Sequence, residues 1–194
     1  EAYIEHEGRR VVDWADSPLA LVQYSVAARD RMPLWALRSH LHTLPDQPAL
    51  VAAVGDAIAN DIMVLPSIAP GSGPYPGERG RWCNEPADPV ARRSAACLYA
   101  ALMTDTMLGL IGSRGTLPVE GRFRAAEVFV RGLASLRPDI AVHVANEHND
   151  VAMGALRLID PVLRPAGSLR RIEPLDADMA AYRTKWLEEL EAFQ

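Results

Sequence analysis

Apolar and polar positions change period several times along the chain, and each change marks an element. Tyr3, Ile4 and His6, a turn at Glu7-Gly8, and then Arg9 to Trp14 alternate as a β-hairpin does. Ser17-Pro18 is a helix start, with a capping hydroxyl and a proline at the first helical position. Apolar residues then recur at Leu19, Val22, Val26 and Ala27 until Pro33 interrupts, and a second short helix is expected from Leu34 to His42. Pro48 to Asn60 is helical by composition. Ile62 to Leu65 is a short continuous apolar run, the pattern of a buried strand. A proline- and glycine-rich loop covers 66–89. Asp88-Pro89 opens a helix that runs to about Ile111 and stops at Gly112. Its middle, Ala95 to Met103, is apolar all the way round, which places it in the interior.

The last third reads strand, helix, strand, helix. Leu117 to Val119 is a strand broken by Gly121, and Ala126, Phe129, Val130, Leu133 and Leu136 form one helical stripe ended by Pro138. Ala141 to Ala145 is a second strand, followed by a polar turn at Asn146 to Asp150 and a short helix from Val151 to Ile159. An amphipathic helix from Asp176 carries the stripe Met179, Tyr182, Trp186, Leu190 and Phe193 at spacings of three and four. Strands alternating with helices predict an α/β layered architecture.

Composition narrows the class. A chain of 194 residues with 49% apolar and 23% charged residues suits one domain or one large lobe, and it buries enough surface to need no disulfide or metal for its core. A formal charge of −5 argues against a nucleic-acid-binding face. Cys83 and Cys97 have no Cys-x-x-Cys spacing, so they predict neither a redox pair nor a zinc site but free thiols of a cytoplasmic protein. No apolar run approaches the roughly 20 residues of a membrane helix, and no signal-peptide pattern opens the chain. The first segment reads as an interior strand, so a piece of something longer is expected.

The most informative chemistry lies at Val119-Glu120-Gly121-Arg122-Phe123, where a strand runs through a glycine into a helix start. Such a junction offers free backbone N–H groups and the positive end of a helix dipole, which suits a phosphate group. A strand–helix turn with no ligand fits the same residues. The segment Gly71-Ser72-Gly73-Pro74-Tyr75-Pro76-Gly77 lacks the Gly-Lys-Ser/Thr ending of a Walker A loop and reads as a rigid surface connection. His40, His42 and His148 lack the converging partners of a metal site, and no Gly-x-Ser-x-Gly elbow is present. Asp13, Asp16, Asp105 and Asp150 are carboxylates that could act as bases. Asp105 stands out because it sits in the apolar helix, where a charge needs a partner, and a salt-bridged structural role suits it best. No catalytic residue and no metal ligand is assigned.

Several stretches carry a resemblance. Met63-Val64-Leu65-Pro66-Ser67-Ile68-Ala69-Pro70-Gly71-Ser72-Gly73-Pro74, Leu98 to Asp105, Val119-Glu120-Gly121-Arg122-Phe123, Leu133 to Pro138 and Ala152-Met153-Gly154-Ala155 follow one another as in the C-terminal lobe of the FGGY carbohydrate kinases. The branch most similar is that of the fuculose and rhamnulose kinases. The resemblance covers residues from about 46 to 194; residues 1–45, a hairpin and helices, stay unassigned.

It implies a ribonuclease-H-like, actin-type ATPase lobe that binds ATP with Mg2+, and Glu120, Gly121, Arg122 and Phe123 as the residues at the nucleotide. It also implies an N-terminal lobe that holds the sugar and supplies the aspartate base and the first phosphate loop. The whole enzyme would then move the γ-phosphoryl group of ATP to a hydroxyl of a ketose or polyol, and this chain alone would phosphorylate nothing. Where the family often has an asparagine on the first helical turn, this chain has Ala126. The alternatives are a non-catalytic interaction or oligomerisation module, a homodimer among its forms, and a nucleotide sensor.

Overall fold

The alternating first segment pairs as an antiparallel ribbon in the computed structural model, which describes residues 3–6, 9–12, 47–66, 73–145, 156, 158–160, 162–163 and 168–192. Strand β1 (Tyr3–His6) opposes β2 (Arg9–Val12) in the register Tyr3↔Val12 to His6↔Arg9. The turn expected at Glu7-Gly8 lies outside the described residues. The helices expected over 17–42 lie outside the described residues.

The helical stretch after Pro45 divides into α1 (Gln47–Ala52) and α2 (Val54–Ala59). Ala53 between them keeps helical backbone angles, φ −76° and ψ −8°, so the second helix continues the first. Asn60 closes it with a side-chain bond from Nδ2 to the Asp56 carbonyl at 2.8 Å. The apolar run that follows is β3 (Met63–Leu65), buried at all three positions. Its partner β4 (Arg81–Cys83) lies antiparallel in the register Met63↔Cys83, inside the segment that the sequence reads only as loop. Three residues between Gly80 and Asn84 are too few to show a period, and the ladder to β3 makes them a strand. Within that loop Tyr75 packs edge-on against Trp186, with ring centroids 5.7 Å apart.

Helix α3 (Pro89–Leu110) has the ends its sequence predicts. Asp88 caps it by accepting the Ala91 N–H at 2.9 Å, Pro89 takes the first position, and Gly112 beyond the last turn has a φ of 63°. Every residue from Ser94 to Asp105 is buried. The Ser94 hydroxyl is satisfied by the Leu50 carbonyl at 2.9 Å. Asp105 forms ion pairs with Arg137, Oδ1 to Nε 2.6 Å, and with Arg183, Oδ2 to Nε 2.9 Å. The structural role expected of that aspartate is what the geometry displays.

Strand β5 (Thr116–Val119) runs parallel to β6 (Ala141–Ala145), and β7 (Leu169–Arg171) adds antiparallel on the far side of β6. This mixed sheet has the order β5-β6-β7. The sequence reading lacks β7, whose three residues are all exposed and carry no alternation. A 3-10 helix (Gly121–Ala125) and α4 (Glu127–Leu136) join β5 to β6. Gly132 lets α4 approach α3 closely: a Cβ there would stand 3.3 Å from the Ala101 methyl. The last helix, α5 (Met179–Glu191), buries Met179, Tyr182, Trp186 and Leu190 of the expected stripe, while Phe193 lies outside the described residues. Tyr182 Oη donates to the Ile62 carbonyl at 2.7 Å and Trp186 Nε1 to the Val64 carbonyl at 2.8 Å, so both polar tips are satisfied where they enter the core. The architecture is α/β, with helices packed on a mixed sheet around one continuous core. Among the described residues no helix is long and apolar enough to cross a membrane.

Candidate functional site

Because β5 and β6 are parallel and Val119 stands beside Val144, their carboxyl ends lie side by side. In open α/β sheets ligands bind beyond such ends. Glu120 leaves β5 in an extended conformation, φ −118° and ψ 179°, and is exposed. Gly121 and Arg122 open the 3-10 helix, and Phe123 packs onto Phe129 with ring centroids 4.9 Å apart. The four residues expected at the nucleotide therefore form one continuous turn, and Phe123 is its anchor in the core. A full 3-10 turn separates Gly121 from α4, where the sequence suggests a direct entry into the helix.

The end of the 3-10 helix that follows this turn, Arg124 and Ala125, borders a cleft of about 1180 Å³ whose wall also includes Gln47, Glu127, Arg131 and Arg170. Arg124 reaches across to the end of β6, where its Nη1 donates to the Ala145 carbonyl at 3.0 Å. Arg131 bonds the Pro174 carbonyl at 3.0 Å through Nη2, and Arg170 stands 3.8 Å from Glu127. Among the described residues of its wall, three guanidinium groups stand against one carboxylate, a balance suited to an anionic ligand.

Helix α4 has no side-chain cap of its own, because Ala126 holds the cap position. The Glu127 N–H is instead taken by Gln47 Oε1 at 2.8 Å, from a residue 80 positions away. Neither Gln47 nor the arginines figure in the sequence reading. Only Arg124, three residues after Gly121, had a local signal.

The remaining candidates fall elsewhere. Asp105 lies in the ion-paired core between α3, α4 and α5. Asp13, Asp16, Asp150, His40, His42 and His148 lie outside the described residues. Cys83 and Cys97 are free thiols; burial raises the pKa of both and pushes Cys97 up to about 12, so neither is a nucleophile near neutral pH. Among the described residues no three His, Cys, Asp or Glu side chains group as metal ligands would.

Residues 34–166 match the family model "Carbohydrate kinase FGGY, C-terminal domain", and residues 1–58 match that of a domain of unknown function, DUF2172. No curated protein matches the chain. A solved carbohydrate kinase from Novosphingobium aromaticivorans is 60% identical with a TM-score of 0.73, over 77% of this chain and 32% of that one. A xyloylose kinase from Brucella ovis shares the fold at 19% identity and a TM-score of 0.57, over 95% of this chain and 40% of that one. The chain thus spans less than half the length of either kinase. With most of its residues under one family model, it belongs to the FGGY carbohydrate kinases and corresponds to their C-terminal domain.

Proposed function

We propose that this chain is the ATP-binding lobe of a sugar kinase, built on a ribonuclease-H-like, actin-type core. The whole enzyme transfers the γ-phosphoryl group of ATP to a hydroxyl of a ketose or polyol in the cytoplasm. The observation that carries the reading is the turn from Glu120 to Phe123 at the carboxyl ends of two parallel strands. Its backbone N–H groups, with Arg124, Arg131 and Arg170 along the adjoining cleft, suit the phosphates of a nucleotide.

Phosphoryl transfer depends mainly on positioning and on stabilising charge. On this reading, Phe123 anchors the turn and the arginines offset negative charge on the bound nucleotide. The base that takes the proton from the sugar hydroxyl is assigned to the N-terminal lobe, so the chain by itself binds nucleotide and turns over no sugar. Magnesium commonly takes one or two carboxylates together with substrate phosphates and waters, and no larger group of His, Cys, Asp or Glu stands together among the described residues. The ion is assigned to the nucleotide phosphates, which it would accompany.

Gly121→Val tests the assignment. A Cβ and its methyl groups would crowd a ligand at the turn, so Mg-ATP affinity should fall by about tenfold or more while the melting temperature stays within a few degrees. Unchanged affinity would remove the site. The exposed Leu158, Ile159 and Val162 favour a second reading, an interaction module without catalysis. Such a module would self-associate or bind a protein partner, and it would not bind ATP.

A further inference from the structure

We infer that Gln47 is a positioning residue of the nucleotide turn, holding the first N–H of α4 and with it the segment from Gly121 to Ala126 at the edge of the cleft. This rests on the nucleotide reading given above.

The first N–H groups of any helix lack intrahelical acceptors, and a serine, threonine, aspartate or asparagine at the cap position commonly supplies one. Ala126 cannot. The acceptor for Glu127 comes from Gln47 Oε1 at 2.8 Å. An amide oxygen on a mobile surface side chain would do little for the turn, but Gln47 is only 4% exposed. It opens α1, whose Leu50 is fully buried in the common core. The acceptor is therefore fixed by the body of the lobe, and the start of α4 is fixed by the acceptor.

Two observations tie this contact to the cleft. Gln47 and Glu127 both belong to its wall, together with Arg124 and Ala125 at the end of the 3-10 helix. The other end of the same amide, Nε2, is buried with no hydrogen-bond partner among the described residues. A buried donor left unmade is costly and calls for a local reason. Here Gln47 serves through its acceptor, while its donor finds no partner among the described residues. An apolar residue of similar size would avoid that penalty but would leave the start of α4 uncapped.

The test compares three variants. Gln47→Met removes the acceptor, and hydrogen exchange at the Glu127 amide should accelerate about tenfold while Mg-ATP binds about tenfold more weakly. Gln47→Glu keeps an oxygen acceptor. Adenosine, which has no charge for the new carboxylate to repel, should bind it within about twofold of wild type, with Glu127 still protected. Tyr182→Phe loses a buried hydrogen bond on α5, away from the cleft, and serves as the control for stability alone. It should melt lower and bind Mg-ATP as wild type does.

A folded Gln47→Met that binds Mg-ATP normally overturns the proposal, as does an equal loss of affinity in Tyr182→Phe. Should Gln47→Met fail to fold, loss of adenosine binding by Gln47→Glu with Glu127 still protected overturns it as well. A wild-type chain that binds no nucleotide fails the reading of the site itself, and the proposal falls with it. That outcome is distinct from wild-type binding that Gln47→Met leaves unchanged.

Discussion

Asp105→Asn is the sharpest test of how the lobe is held together. Asp105 accepts from Arg137 Nε at 2.6 Å and from Arg183 Nε at 2.9 Å, and its side chain is 7% exposed. Arg137, at 14% exposure, is nearly as enclosed, whereas Arg183 is 45% exposed. Removing one partner of a buried pair strands the other charge and costs about 3–5 kcal/mol. The half-exposed Arg183 contact adds at most about 1 kcal/mol, because water screens it. Asparagine keeps a carbonyl for Arg137, and the bond from Arg137 Nη2 to the Asp105 main-chain oxygen survives the change. We therefore expect the low end, about 3 kcal/mol, which for a domain of this size lowers the melting temperature by about 10 °C. Circular dichroism during thermal and urea unfolding reads it directly. Arg183→Ala should cost under about 1 kcal/mol in the same assay. A variant Asp105→Asn that melts within about 2 °C of wild type, or an Arg183→Ala that costs as much, would refute the reasoning.

The close approach of α3 and α4 predicts that Gly132→Val costs about 1–3 kcal/mol by overpacking against Ala101 and Leu175. Gly132→Ala should forfeit the roughly 1 kcal/mol that alanine usually gains over glycine in a helix, and a urea midpoint unchanged in Gly132→Val would contradict the packing. Burial raises the Cys97 thiol from its ordinary 9.0 to about 12, so above pH 9.0 the unfolded chain releases a proton that the folded one keeps. Stability should be fully present below that pH and fall by about 1 kcal/mol per pH unit above it. The buried Tyr99 and Tyr182 hydroxyls, also raised by desolvation, add to the loss at higher pH. A melting temperature constant from pH 8 to pH 11, measured by calorimetry, would show that these groups are not buried as described.

How much was legible in the sequence depended on how far each residue's partner lay. Helix α3 announced itself because its signals are local: the Asp88 cap, Pro89, the all-round apolar middle and Gly112 sit within one stretch. Strand β6 and the stripe Met179, Tyr182, Trp186 and Leu190 were equally plain, since burial imposes the period directly. Strands β4 and β7 were not, because three-residue segments held by a neighbour's ladder carry no period of their own. The turn at Gly121 could be read from its glycine, yet the 3-10 helix before α4 could not. That shape comes from packing, with Phe123 on Phe129 and Arg124 on the Ala145 carbonyl. Gln47 was invisible for the same reason. A glutamine beginning a helix looks like a surface residue until the fold brings Glu127 to it.

Nucleotide binding by this lobe is the property to measure first. Mg-ATP and Mg-ADP should be titrated by calorimetry into the 194-residue chain. Saturable binding in the micromolar-to-millimolar range, lost in Gly121→Val, is the expected result. A folded chain that gives no binding heat at millimolar nucleotide would contradict the central claim.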